Sequence, residues 1–368
     1  MLNENAMELT LPLITPSGLM STLSAFPNFI NPVLFLENGI IRLKYNSPKS
    51  ETYDSNKYSR MSFVDPSNHL IKVVEDVKRI INSSSTNKLT KISGLTFKDT
   101  ELVNLMRANY SKVDTEIILQ MGDSRSVPAI CNQIDNTSNW FLNQTSLFVT
   151  RHVVEHLEDP FVFINQIIDA LPENGYILIE VPSSSSIYAG SLFPDFWDEH
   201  KSYFELESIG NLFNDRNFEI LLQKEYRTEA ENVLILVGKK SQSRKKVLEK
   251  SPNVDLIAKL KLDFERIKTI VRNYENNNQQ FIFVGATHTV INFIDLFVAY
   301  PERCIIMDNS EARFGNFATK YSIKIIKPGS REFSDEEYIW LTSISSERLN
   351  LYYEELAKKR EILNLDQL

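Results

Sequence analysis

The sequence predicts an α/β protein whose strands form a mostly parallel sheet. From residue 88 onward, short apolar segments of strand length alternate with segments of helical periodicity, as in parallel sheets covered by helices. The alternation restarts after a charged, apolar-poor break at 239–252. Of the 368 residues, 42% are apolar and 24% are charged, which is ordinary for a globular protein. At roughly 150 residues per domain, this length accommodates two or three domains.

Residues 1–65 predict a small strand-rich module, because prolines interrupt them and an apolar alternation follows at 39–45. Residues 66–81 have the period of a helix, with a proline near the start, where it is tolerated. Within 66–240, strands are predicted at 88–92, 116–121, 147–150, 176–181, 218–224 and 233–237. Helices are predicted between them, for example at 100–108, 160–171 and 205–216. The last two strands are close in sequence, so we expect an antiparallel sheet edge.

Residues 241–368 predict a second, smaller α/β domain. A long polar helix at about 254–274 follows the charged linker, and strand-like and helix-like segments alternate again after it. The predicted elements lie at 281–284, 289–298, 304–307, 323–326 and 338–342, with a final helix that runs through residue 360.

Charge and cysteine content narrow the class of partner and compartment. The chain has 40 Lys and Arg against 48 Asp and Glu, so its net charge is −8, which argues against nucleic acid or an anionic membrane as partner. Two cysteines build neither a disulfide framework nor a four-thiolate zinc site. We therefore expect a cytoplasmic protein that does not span a membrane. Glycine is scarce, at 11 residues, which leaves few places for a nucleotide-cradling loop.

Three segments carry residues suited to chemistry. The first, H-V-V-E-H at 152–156, resembles the zinc pattern H-E-x-x-H, but its glutamate is misplaced and Pro160 ends a helix early. The alternative is a loop in which the His and Glu side chains form hydrogen bonds with backbone groups. The second, 196–204, sets a carboxylate beside His200 among aromatics and predicts either a proton-transfer pair or a surface pair. The third, 281–289, runs from a strand through Gly285 into a helix start and predicts an anion-binding turn or a capped turn.

The order of these motifs resembles a known family. Residues 152–182 (HVVEHLEDP … LPENGYILIEVP) resemble the region after the fourth strand of class I S-adenosylmethionine-dependent methyltransferases. Residues 193–204 (FPDFWDEHKSYF) are similar to the aromatic-x-Glu-His element of nucleotide-sugar C-methyltransferases, and 285–287 to the G-A-T unit of their C-terminal domain. The tyrosine-containing stretch 53–69 and the stretch 31–43 resemble the family's N-terminal elements. The resemblance implies a class I methyltransferase-like (Rossmann-like) central domain over 66–240.

The resemblance also implies roles for individual residues. His200 would abstract the proton next to a ketone, Glu199 would orient it, and Tyr58 would bind the sugar or stabilise the enolate. The cofactor S-adenosylmethionine would contact Gly94, Asp99, Asp123, Arg151 and His152. A nucleotide-linked ketosugar would contact Trp197, Gly285, Thr287 and His288.

The chain departs from the family at several places. The family's N-terminal module binds zinc through paired cysteines, but no cysteine precedes Cys131, so we expect neither zinc nor another metal. The family's cofactor loop E-I-G-x-x-D-G corresponds here to 91–100, where Gly94 is the remaining glycine and Phe97 and Lys98 carry side chains. The family has an acidic residue after the second strand that binds the ribose hydroxyls of the cofactor. Asp123 aligns with that residue only if the alignment is shifted by one position.

Three functions follow from this pattern. The first is C-methylation of a nucleotide-linked ketosugar. The second keeps the sugar site but not the methyl donor, and uses His200 and Glu199 for epimerase-like or dehydratase-like proton transfer or another group transfer. The third is a non-enzymatic partner or scaffold for an enzyme of a sugar pathway.

Overall fold

A computed structural model of the protein describes residues 7–8, 11–12, 19–21, 29–30, 32–45, 58–60, 68–83, 89–110, 112–119, 144–189, 195–196, 200–213, 217–228, 232–241, 255–319, 321–330, 338–344, 346–358 and 360–368. Among these residues, no helix is both long and apolar enough to cross a membrane.

The described elements fall into three stretches of chain. The N-terminal strands are β1 (Met7–Glu8), β2 (Leu11–Pro12), β3 (Leu19–Ser21), β4 (Phe29–Ile30), β5 (Pro32–Glu37), β6 (Ile40–Tyr45) and β7 (Tyr58–Arg60). The middle elements are α1 (Leu70–Ser83), β8 (Lys91–Thr96), α2 (Thr100–Asn109), β9 (Asp114–Leu119), β10 (Leu147–Arg151), α3 (Pro160–Ala170), β11 (Tyr176–Pro182), α4 (Ser185–Ala189), β12 (Ser202–Tyr203), β13 (Phe218–Arg227) and β14 (Asn232–Lys240). The C-terminal elements are α5 (Asp255–Asn276), β15 (Gln280–Val284), α6 (His288–Phe297), β16 (Cys304–Met307), β17 (Phe317–Ala318), β18 (Ile323–Ile326), β19 (Tyr338–Thr342), α7 (Ser346–Ala357) and β20 (Leu363–Asn364).

The middle stretch forms a six-stranded sheet in the order β13-β14-β11-β10-β8-β9. Strands β11, β10, β8 and β9 are parallel, and β14 is antiparallel to both β11 and β13. This confirms the predicted parallel sheet with an antiparallel edge. All five residues of β10 are buried, as expected of a strand covered on both faces. The strand order reverses between β8 and β10, so the crevice at their carboxyl ends is the expected ligand site.

The helices that cover this sheet follow from local sequence. Helix α1 buries Leu70, Val73, Val74, Val77 and Ile81, an apolar stripe at helical spacing. Helix α3 begins at Pro160 because proline fits the first helical turn, and the Asp159 carboxylate accepts a hydrogen bond from Val162 N at 2.9 Å.

The N-terminal strands are divided among three further sheets, one of which is the two-stranded pair of β2 and β4. Strands β1, β5 and β6 form a four-stranded sheet with β12, and β3 and β7 extend the C-terminal sheet, whose order is β20-β19-β15-β16-β18-β17-β3-β7. The strand-rich N-terminal segment and the second α/β unit are therefore confirmed. Of the predicted linker at 239–252, Lys239 and Lys240 instead end β14, and residues 242–252 lie outside the described residues.

The predicted helix at 205–216 is wrong. The structure has turns followed by a short 3-10 helix at Ile209–Phe213, and all five of its residues are buried. An amphipathic α-helix would expose one face, whereas all five residues of Ile209–Phe213 are buried. A Cβ at Gly210 would lie 2.8 Å from Gln223 Oε1.

Candidate functional site

A buried cluster of charged side chains lies at the carboxyl ends of β10 and β11. Glu180, in the otherwise apolar β11, is fully buried and lies 2.9 Å from Arg151 Nη2, 3.0 Å from His69 Nε2 and 3.1 Å from His152 Nε2. Burial alone would raise the pKa of Glu180, but His152, His69 and Arg151 hold that pKa below its ordinary value. Glu180 is therefore an ionised carboxylate that three basic side chains surround.

The backbone at His152 is strained. Its φ is +50°, in the left-handed region that few residues other than glycine adopt. Burial lowers the pKa of His152, but its contacts with Glu155 and Glu180 outweigh burial and raise it to about 10. His152 is thus a buried cation that links the two carboxylates.

The second carboxylate, Glu155, faces a group of imidazoles. It lies in the short 3-10 helix Val154–His156, is 1% exposed, and its Oε1 is 3.6 Å from His152 Nδ1 and 3.7 Å from His156 Nε2. The His156 and His200 rings meet edge to face, with their centroids 4.7 Å apart. Burial would raise the pKa of Glu155, but the surrounding histidines lower it to about 2. Four of the five histidines of the chain therefore lie in one connected cluster.

Backbone hydrogen bonds fix His200 in this position. The next residue, Lys201, donates from its N–H to Glu155 O at 2.6 Å, and its carbonyl accepts from Leu43 N at 2.9 Å. Strand β12 then pairs with β6, and Ser184 N donates to Phe204 O at 2.7 Å. His200 is thus held against Glu155 by three separate segments of the chain.

The turn after β8 is filled by side chains of this chain. Gly94 lies inside β8, paired with both neighbouring strands, and a Cβ there would lie 2.6 Å from Ile117 Cδ1 and 2.8 Å from Asp99 Cβ. Asp99 and Thr96 form a capping box in which Thr96 N donates to Asp99 Oδ2 at 2.7 Å and Lys98 N to Thr96 Oγ1 at 3.3 Å. The small size of Gly94 therefore accommodates neighbouring side chains of the protein.

Two further contacts tie this turn to the end of β10. Arg151 Nη1 donates to Lys98 O at 2.7 Å, and Lys98 Nζ donates to His152 O at 3.0 Å. The crevice between β8 and β10 is closed by these contacts, and Asp99 and Arg151 are fully buried. The described side chains of this turn therefore contact one another, and the predicted cofactor contacts of Gly94, Asp99, Arg151 and His152 stay predictions. An open depression of about 510 Å³ lies beside the turn and is lined by Phe97, Lys98, Thr100, Glu101, Asn104 and Leu105.

The segment that leads to His200 is tied to α6 of the C-terminal unit. Thr289 Oγ1 donates to Asp195 Oδ1 at 2.8 Å, and Asn292 Nδ2 donates to Phe196 O at 2.7 Å. Phe196 is fully buried and packs edge to face on Tyr203, with ring centroids 4.8 Å apart. The chain on either side of His200 is therefore bonded to both α/β units, residues 195–196 to α6 and Lys201 to Glu155.

The turn at Gly285 is capped from within. Gly285 has φ +86°, and Ala286 N donates to Asp308 Oδ2 at 2.8 Å, while Val290 N donates to Thr287 Oγ1 at 3.2 Å. The capped-turn alternative therefore describes this segment, since Asp308 and Thr287 take hydrogen bonds that an anion would take.

Several predicted site residues are not placed by these contacts. Asp123, Trp197 and Glu199 lie outside the described residues. The described backbone includes Tyr58 in β7 and His288 at the start of α6, but not their side chains. Their predicted roles, like those of Gly285 and Thr287 toward a sugar, stay predictions.

Sequence reasoning missed the roles of His69 and Glu180 in the cluster. One signal was available, because Glu180 interrupts the apolar run of β11 (YILIEVP), and a glutamate in a strand buried on both faces requires a partner.

Comparison with known proteins finds one matching family model and several remote structural likenesses. Residues 53–223 match a family model described as a methyltransferase domain. No curated protein matches the chain. Similar solved structures include the N-methyltransferase NodS from Bradyrhizobium japonicum WM9 (11% identity, TM-score 0.30, covering 46% of this chain and 86% of that one). Another is the magnesium protoporphyrin IX methyltransferase ChlM from Synechocystis PCC 6803 (12% identity, TM-score 0.31, covering 50% of this chain and 90% of that one).

Likenesses this remote carry no argument about activity or ligand. The match of the family model covers α1 to the first part of β13, which includes the parallel strands of the six-stranded sheet and the whole histidine cluster. The α/β fold of this chain is therefore class I methyltransferase-like, with a methyltransferase domain matched over residues 53–223.

Proposed function

We propose that this chain is a C-methyltransferase-like enzyme of a nucleotide-linked ketosugar, and that its first step is proton abstraction by His200. The observation that carries the proposal is the position of His200, held beside Glu155 and His156 at the carboxyl edge of the sheet. The match of 53–223 to a methyltransferase domain supports methyl transfer as the overall reaction, with S-adenosylmethionine as the methyl donor.

The proton step follows from the chemistry of the site. A ring nitrogen of His200 takes the proton from the carbon next to the ketone, the C–H bond breaks, and its electron pair moves to the ketone oxygen as an enolate. The buried, ionised Glu155 stabilises the imidazolium that forms, because opposite charges attract strongly where water is scarce. Tyr58 is the proposed donor to the enolate oxygen.

A second candidate is proton transfer alone, in which the enolate carbon is protonated again, by His200 on the same face, which gives exchange only, or by a second acid on the opposite face, which gives the epimer. The turn after β8 favours this candidate, because its described side chains contact one another and the space at Gly94 is taken by Ile117 and Asp99.

The proton step is tested by exchange of the sugar proton in heavy water. With a panel of nucleoside-diphosphate ketosugars, we expect the wild-type protein to exchange the proton next to the ketone, and His200→Ala to slow this exchange by about 100-fold or more. Glu158→Gln, an exposed carboxylate on the same segment, is the control and is expected to exchange normally. Equal exchange in wild type and His200→Ala, or none with any sugar, would contradict the proposal.

The overall reaction is tested separately by adding S-adenosylmethionine to the same mixtures and measuring the mass of the sugar product by mass spectrometry. A mass higher by one CH2 unit, because a methyl group has replaced a hydrogen, supports the first candidate. Exchange without methylation, and no heat of binding for S-adenosylmethionine, supports the second.

A further inference from the structure

Glu155, His156 and His200 have the composition of a metal site. One carboxylate oxygen and one ring nitrogen from each histidine lie within 4.8 Å of one another. Two imidazoles and a carboxylate are a ligand set used for zinc with an open coordination position and for other divalent transition metals. The sequence pattern H-V-V-E-H directed attention to His152 and His156, whereas the structure brings His156 together with His200, from a distant segment.

The state of Glu155 points independently to a missing partner. The residue is 1% exposed, and neither of its carboxylate oxygens has a hydrogen bond among the described residues. It forms ion pairs with the imidazoles of His152 and His156 at 3.6 and 3.7 Å, distances too long for a hydrogen bond. The neighbouring imidazoles offset part of the cost of burying this charge, and a bound cation would supply the direct contacts that both carboxylate oxygens lack.

The site is also open enough for an ion to enter. The side chain of His156 is 16% exposed and His200 is half-buried, so one side of the group reaches solvent while Glu155 forms its floor. The backbone bond from Lys201 N to Glu155 O holds the two segments in register. Tetrahedral zinc with bonds of about 2.0 to 2.1 Å needs ligand atoms about 3.4 Å apart, so metal binding requires side-chain rotations that shorten the widest separation by up to about 1.4 Å.

We propose that Glu155, His156 and His200 form a binding site for one divalent transition-metal ion of the zinc class, with a fourth position open to water or substrate. This site does not depend on the proposed function. It bears on that function, however, because an imidazole that coordinates a metal through one nitrogen keeps its proton on the other. Metal-bound His200 therefore has no lone pair for proton abstraction, and the metal-loaded form would be inactive in that step.

The proposal is tested by titrating the chelator-treated full chain with Zn²⁺ in a calorimeter, without any sugar. We expect one equivalent of Zn²⁺ to bind, and Glu155→Gln, His156→Asn and His200→Asn each to weaken binding by about 10-fold or more. Glu158→Gln is the control, since its exposed carboxylate lies on the same segment but outside the group. Binding that all three variants leave unchanged, or no binding, would overturn the site.

Crystals of the wild-type protein soaked in Zn²⁺ give a measurement that does not depend on whether the variants fold. An anomalous peak among Glu155, His156 and His200 is expected, and a peak elsewhere or none counts against the site. The exchange assay reports on the proposed function alone, so failure of one proposal is distinguishable from failure of the other. If both hold, stoichiometric Zn²⁺ slows proton exchange and a chelator restores it.

Discussion

Glu180→Gln is expected to destabilise the fold by about 3–5 kcal/mol, because it removes the carboxylate at the centre of a buried charge cluster. Arg151 and His152 would lose their shared anion inside the protein, where neither can be hydrated. The new amide NH2 group would also lie against a nitrogen of a basic side chain, since both carboxylate oxygens of Glu180 contact such nitrogens, from Arg151, His69 and His152. An NH2 group cannot accept a hydrogen bond there. Urea denaturation of both proteins at neutral pH measures the difference.

The control for this change is Glu354→Gln on α7. Glu354 pairs with Lys358 at 2.6 Å, but both side chains are more than 60% exposed, so the pair contributes little to the free energy of unfolding. We expect Glu354→Gln to change stability by less than about 0.5 kcal/mol. A Glu180→Gln protein as stable as the Glu354→Gln protein would show that the buried cluster is not held by charge.

Asp99→Asn is expected to remove a large pH dependence from the stability of the protein. Asp99 is fully buried, and burial raises its pKa from 3.8 to about 7, against the lowering effects of the Thr96 hydrogen bond and the Arg151 charge. Glu180 is the other charged group that acts on it, and raises its pKa further. The folded protein therefore holds a proton that the unfolded chain releases near pH 4.

The stability contributed by this proton is fully present below pH 3.8 and is lost as the pH rises to about 7. At 1.36 kcal/mol per pKa unit, the loss across this range is about 4 kcal/mol. Asparagine stays neutral and still accepts the hydrogen bond from Thr96 N, so Asp99→Asn should be more stable than wild type at pH 8 and similar to it near pH 4. Denaturation curves between pH 4 and pH 8 measure this.

Asp114→Asn serves as the matched control, since Asp114 lies at the start of β9 with an exposed side chain. It should leave the pH dependence of wild type in place. If Asp99→Asn instead keeps the same pH dependence as wild type, Asp99 does not hold a proton in the folded state.

The fold was predictable because its signals are local. Each parallel strand is a short apolar run and each covering helix has its own stripe or cap, as in α1 and α3, so alternation along the chain was enough to predict the sheet. The segment 205–216 was mistaken for a helix because its apolar residues have helical spacing. Gly210 and Asn211 were the contrary signals, since both disfavour a helix and both are buried.

The candidate site was only partly predictable because its geometry depends on contacts between distant segments. His200 was identified from its carboxylate and aromatic neighbours in sequence. Its contact with His156 depends on the bond between Lys201 N and Glu155 O, and no local pattern encodes such a bond. The role of Gly94 could not be predicted from the sequence either. A glycine that leaves space for Ile117 and Asp99 cannot be distinguished in sequence from a glycine that contacts a cofactor.

The pairing of β12 with β6 has a consequence for how the protein folds. The segment that carries His200 is held by contacts between residues far apart in the chain, such as the bond from Arg42 Nε to Lys201 O, which spans 159 residues. Contacts that close such long loops form slowly, whereas the β8–α2–β9 unit is built from near neighbours. During refolding we expect the secondary structure of the six-stranded sheet to appear first and the environment of the His200 ring to become native last.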